Sequence, residues 1–92
     1  MSDRHKARVA KLTPRHRQVV RLVSLGCTIN EIAEILDLSP NTIDNHRLRA
    51  MKILGVDRAT VLTRVAIKYR ISPMGDQLTR AERRKSGRKL IA

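Results

Sequence analysis

Two helix-start signals lie so close together that the chain between them has room for one short helix and an abrupt turn. The first is Thr28 with Glu31 three residues on, the spacing at which a hydroxyl and a carboxylate each satisfy a backbone N–H of the first turn. The second is Ser39 followed by Pro40, an N-cap and a residue whose missing N–H is no loss at the first helical position. Between them Ile29, Ile32, Ala33 and Leu36 recur at i, i+3, i+4 and i+7, which predicts an amphipathic helix of about nine residues. Only Asp37-Leu38 remains for the connection. Helices joined so briefly cross steeply, and small Ala33 lets their backbones approach. A helix-turn-helix over about residues 28–48 follows.

The second of these helices is predicted over about 40–54. Ile43, Ala50 and Leu54, with Arg47 between them, form a stripe apolar enough to face a core. The opposite face is Asn41, Asp44, Asn45, Leu48 and Lys52, and it begins beside a cap whose backbone N–H groups suit a phosphate. Alone, such a face reads as a solvated surface more readily than as a reader of DNA; the neighbouring segments reverse that reading. Gly55 supplies a left-handed end, and Val56 folds back onto the core.

The preceding helix opens at Leu12-Thr13-Pro14, with Thr13 as cap and Leu12 placed to staple the first turn. Val19, Val20, Leu22 and Val23 form its apolar face, Arg15, Arg17 and Arg21 stay in water, and Gly26 closes it. A fourth helix, about 58–70, can be capped by Asp57. Its Ala59, Val61, Leu62, Val65, Ala66, Ile67 and Tyr69 cover more than one face. They either cover a broad core or leave surface for a second copy, with Val61, Leu62, Val65 and Tyr69 as the pairing residues. Ser72-Pro73-Met74-Gly75 ends the compact unit near Ile71, and Thr79 with Glu82 could start a short fifth helix stopping at Gly87. The predicted organisation is all-α: a basic flexible arm over 1–11, a four-helix domain over 12–71 and a basic extension over 72–92.

The chain carries 20 Lys and Arg against 8 Asp and Glu, a net charge of +12, which points to a polyanionic partner. More than half of the excess lies on the two flanks. With no Phe or Trp and a single Tyr, Tyr69, the chain lacks the stacking platforms that hold single strands, which favours duplex DNA over RNA. Cys27, the only cysteine, is expected as a small buried hydrophobe in a reducing, cytoplasmic setting. No apolar run approaches a membrane span, and residues 1–11 lack a signal peptide's apolar stretch. No catalytic set, phosphate-cradling loop or His/Cys cluster is present, so neither an enzyme nor a cofactor, metal or small-molecule site is expected. His5, His16 and His46 are too dispersed to suggest a shared site.

Leu12-Thr13-Pro14-Arg15, Gly26, Glu31-Ile32-Ala33, Leu36, Ser39-Pro40-Asn41-Thr42-Ile43, Asn45-His46-Arg47 and Leu54-Gly55-Val56 together resemble the LuxR/FixJ-type (GerE-like) helix-turn-helix domain. The likeness runs from about Leu12 to Ile71 at uninterrupted spacing. It implies a four-helix DNA-binding domain of a bacterial transcription regulator, whose third helix enters the major groove and whose fourth pairs two protomers. Position by position it puts Asn41, Asp44, Asn45 and Leu48 near base edges. Thr28, Thr42, His46, Arg47, Arg49 and Lys52 fall near phosphates, His46 as a half-buried residue that bonds a neighbour or the DNA backbone. The implied partners are double-stranded DNA and a second copy of the chain; RNA polymerase is a further candidate partner, and the one that a sigma-factor-like module would bind.

The chain departs from that pattern in places. His16 and Gln18 stand where Glu is usual, so the first helix is expected to lose a capping-box acid and gain positive charge. Asp37 replaces a frequent Gly, which a left-handed Asp tolerates. Ile35 and Ile53 replace polar residues and add apolar surface for a partner. Asp44 stands where Lys or Arg is frequent; a carboxylate there repels phosphate but can accept from cytosine N4, or simply favours the helix dipole. A receiver or ligand-binding domain does not fit in 92 residues, so the chain resembles either single-domain members or a piece of a longer regulator. The competing readings are a promoter-recognising module like region 4 of a sigma factor, and an architectural DNA-binding protein.

Overall fold

Most helices begin where a side chain caps them. The computed structural model describes residues 4–72 and 75–87, and all regular structure among them is helical. The elements are α1 (Arg4–Val9), α2 (Pro14–Ser24), α3 (Ile29–Leu36), α4 (Pro40–Leu54), α5 (Ala59–Lys68) and α6 (Arg80–Ser86). Thr13, Thr28 and Thr79 each close a reciprocal capping box, and the Ser39 hydroxyl accepts from the Thr42 N–H. Helix α5 differs: Arg58 is its N-cap and makes no side-chain bond there, so the expected cap at Asp57 is not used. Asp37 adopts the left-handed conformation at φ 56°, and Gly55 does so at φ 69°. Beyond Gly55 the Val56 N–H donates to the Met51 carbonyl at 3.0 Å, satisfying one of the orphan acceptors of a helix end.

The core has two apolar clusters, and α4 takes part in both. Val9, Leu12, Val20, Ala50, Met51, Leu54, Leu62, Val65 and Ala66 form the first. Val19, Leu22, Cys27, Ile32, Ala33, Ile35, Ile43 and Leu78 form the second. Ile43, in the first half of α4, thus belongs with α3, whereas Ala50, Met51 and Leu54 belong with α5. Ile43 and Leu54 are fully buried, each worth about 1.5–3 kcal/mol of transfer free energy. Helix α2 runs beneath both clusters and packs on α4 and α5.

The flanks differ from their sequence reading. In the arm, residues 4–9 are helical, Val9 is buried, and α1 packs on α4. The Arg8 guanidinium donates to the Leu54 carbonyl at 3.2 Å, and Arg17 donates to the Val9 carbonyl at 3.0 Å. At the other end packing continues past Ile71: Leu78 enters the second cluster, and α6, the expected fifth helix, lies on α3. Arg21 is not simply solvated. It donates to Asp76 Oδ2 at 2.8 Å, Glu82 Oε2 at 2.7 Å and the Gln77 carbonyl at 3.1 Å. Ile35, expected as surplus surface, is covered within the Leu78 cluster, and Ile53 packs half-buried against the other. Residues 1–3, the expected break at Pro73-Met74, and Arg88 and Lys89 of the extension lie outside the described residues. No helix among the described residues is long and apolar enough to cross a membrane.

Candidate nucleic-acid interface

Because Ile43, Ala50, Met51 and Leu54 turn inward, the opposite side of α4 must face out. Asn41, Asn45, Leu48 and Lys52 are exposed, and at about 100° per residue they fall within one narrow arc of the helix. Leu48 retains 50% of its surface; an isolated apolar side chain among polar neighbours suits contact with a thymine methyl. Asp44 borders this arc and is half-buried.

Asp44 is not a free carboxylate. Its Oδ1 accepts from Arg47 Nη2 at 2.6 Å and from Arg47 Nε at 3.2 Å, while Arg47 Nη1 approaches the Met51 sulfur at 3.6 Å. The pair spans i,i+3 and is partly exposed, so its contribution to stability is small. Its effect is on orientation: the Arg47 guanidinium is drawn to the Asp44–Met51 side of α4, whereas exposed Arg49 lies on the other side. Thr28 is exposed at the start of α3. Thr42 is half-buried with its hydroxyl 2.8 Å from that of Ser39.

Two of the histidines, His16 and His46, come together as the sequence reading did not expect. His16 and His46 lie 5.7 Å apart, centroid to centroid, edge to face. His16 occupies the N3 position of α2, where its Nδ1 accepts from the Thr13 N–H at 3.3 Å and its own N–H donates to Thr13 Oγ1 at 3.1 Å. The capping box that lacks an acid is therefore completed by an imidazole. Burial, with Coulombic repulsion from His46 and Arg49, lowers the His16 pKa, which agrees with an Nδ1 that accepts a hydrogen bond. The His46 Nδ1 is buried without a hydrogen-bond partner in this structure. Among the described residues no three His, Cys, Asp or Glu side chains cluster as a metal site would require.

The pairing face of α5 is also redrawn. Leu62 is fully buried, Val65 is 5% exposed, and Tyr69 packs against the same cluster. Leu62 and most of Val65 are thus spent on the core, whereas Tyr69 stays half-buried and Val61 exposed. What α5 leaves outside is Val61 and Ile67, which at about 100° per residue lie roughly 120° apart and form no continuous apolar stripe. A shallow depression beside Val61 is lined by Arg64, Val65 and Lys68. Counting apolar residues in α5 overstates its free surface because α1, α2 and α4 all contribute to the cluster it fills.

The arrangement is one of a short capped helix, a left-handed aspartate turn and a longer helix anchored at both ends with a polar face outward. The family model for bacterial regulatory proteins of the luxR family (GerE) matches residues 10–66. The chain belongs to this family and contains its DNA-binding helix-turn-helix domain. It is 35% identical over 60 residues to the response regulator UvrY of Escherichia coli K12, covering 65% of this chain and 28% of that protein. Over 53 residues it is 43% identical to the transcriptional regulatory protein UhpA of the same strain, covering 58% of this chain and 27% of UhpA. Over 62 residues it is 37% identical to the transcriptional regulatory protein FixJ of Bradyrhizobium diazoefficiens, covering 67% of this chain and 30% of FixJ. The chain therefore spans less than a third of each of these relatives. No solved structure matches it significantly.

Proposed function

We propose that the chain binds duplex DNA sequence-specifically in the cytoplasm, as part of the control of transcription, with α4 in the major groove. The observation that carries this reading is the division of α4: one side is fixed in two apolar clusters, while Asn41, Asn45, Leu48 and Lys52 face outward beside the capped N-terminus at Ser39. Asn41, Asp44, Asn45 and Leu48 read base edges; Thr28, Thr42, His46, Arg47, Arg49 and Lys52 hold phosphate. The relatives' names, response regulator and transcriptional regulatory protein, agree with this role. Two protomers reading half-sites about one helical turn apart would meet through Val61 and its surroundings on α5. With so little apolar surface left there, pairing is expected on DNA more than in free solution.

In vitro selection of duplexes, with mass measurement of the complex, tests the reading. A near-palindrome bound by two protomers is expected, and enrichment of no common sequence would refute it. On the selected duplex Arg49→Ala weakens binding to every sequence and lowers the salt slope by about one. Asp44→Ala shifts the base preferred at one position. A selected profile unchanged by Asp44→Ala would show that this carboxylate only orients Arg47.

A further inference from the structure

The C-terminal helix lies outside the family segment of residues 10–66. We infer that α6 is a second phosphate-binding surface, whose Arg80, Arg84 and Lys85 hold the backbone of the same duplex beyond the stretch read by α4. The inference rests on the proposed DNA-binding function.

A basic tail is ordinarily a solvated coil, but this one is docked and stripped of negative charge. Asp76 and Glu82 are the only acids after Asp57. Both are taken by Arg21, and the Ser72 hydroxyl gives Asp76 a further bond at 3.1 Å. Leu78 secures the connection in the second apolar cluster. The capping box of Thr79 and Glu82 starts the helix, and Glu82 thus serves both cap and clamp.

What remains outside is uniformly cationic. Glu82, Arg83 and Ser86 are half-buried, whereas Arg80, Ala81, Arg84 and Lys85 are exposed, and at about 100° per residue these four share roughly 140° of the helix surface. Three cations flank one small residue, with no acid among them. Their backbone is already ordered by the docking, so less conformational entropy is lost when they meet a polyanion. The location supports the same ligand: α6 packs on α3, the helix opened by Thr28, one of the proposed phosphate positions.

The test is fluorescence anisotropy across a salt series, using the full chain and two duplexes. One duplex covers only the selected site; the other extends it by about one turn on each side. The triple variant R80Q/R84Q/K85Q is compared with K11Q/R15Q/R58Q, which removes the same charge from exposed positions elsewhere. On the long duplex the α6 variant is expected to lower the salt slope by up to about three, near 0.9 for each contact, with selectivity retained. On the short duplex its slope follows that of the control. Arg21→Gln should reproduce the loss on the long duplex and open α6 to trypsin. If the α6 variant and the control give equal slopes on the long duplex while both bind the selected sequence, the inference is overturned and the function proposed for α4 stands. Failure of the parent chain to bind any duplex overturns both.

Discussion

Helices α1 and α6 flank the family segment from opposite ends, and arginines fasten them in opposite senses. Helix α1 sends Arg8 to the last carbonyl of α4 and receives Arg17 on its own Val9 carbonyl. The α6 segment instead offers Asp76 and Glu82 to an arginine rooted in α2. Both add a buried aliphatic residue at the join, Val9 for α1 and Leu78 for α6. Backbone carbonyls do not titrate, whereas carboxylates do. Two attachments of similar outward form are therefore expected to respond differently to acid.

The largest effect should come from the apolar anchors. Leu12→Ala, at the α1 join, and Leu78→Ala, at the α6 join, are each expected to lower unfolding free energy by roughly 2–5 kcal/mol in denaturant titrations. A loss under about 1 kcal/mol for Leu78→Ala alone would mean that α6 rests on the domain without belonging to its core. Next is Gly55→Ala. The position has φ 69°, and an added Cβ would fall on the Arg8 guanidinium. A loss of about 1–2 kcal/mol is expected from the backbone conformation, with α1, and not α6, gaining protease sensitivity. Equal sensitivity of both helices would break the distinction.

The smallest effects are those of pH. Hydrogen bonding from Arg21 lowers the Asp76 pKa; burial alone would raise that of Glu82, but Arg21 and Thr79 bring it down. A carboxylate with a depressed folded value stabilises above its unfolded pKa and loses that contribution as pH falls through the folded one. Acid below the usual carboxylate range should therefore release α6 before α1, as read by proteolysis. His16 acts earlier. Its folded pKa lies below the ordinary histidine value of 6.5, so acidification through 6.5 protonates the unfolded chain first and reduces stability. His16→Gln, which can still close the box, should remove that component of the pH profile. An unchanged profile near pH 6 would show that the His16 ring is not held neutral.

Much of this architecture is legible in the sequence because caps and turns are local. Thr13, Thr28, Ser39, Thr79, Asp37 and Gly55 act within a few residues of themselves, and each takes the role its side chain or backbone freedom implies. The inward and outward faces of α4 follow equally from one helical period. What sequence missed depends on residues far apart in the chain. Arg21 and Glu82 are 61 positions apart, and no periodicity links them. The usable signals were two acids in an otherwise basic extension and an isoleucine, Ile35, at a position usually polar in the resembled family. Helix α1 offered less, since Val9, the one buried side chain among its described residues, sets no period. The proximity of His16 and His46 required the packing of α2 on α4.

The double anchoring of α4 also bears on how such a domain diversifies. Asn41, Asn45, Leu48 and Lys52 share no side-chain position with either cluster, so they can be exchanged while the side chains that hold the helix stay in place. Asp44 and Arg47 are coupled by their ion pair, and a change at one alters the setting of the other. New target sequences should therefore be reached by single replacements along the outward stripe, but by paired replacements at its edge.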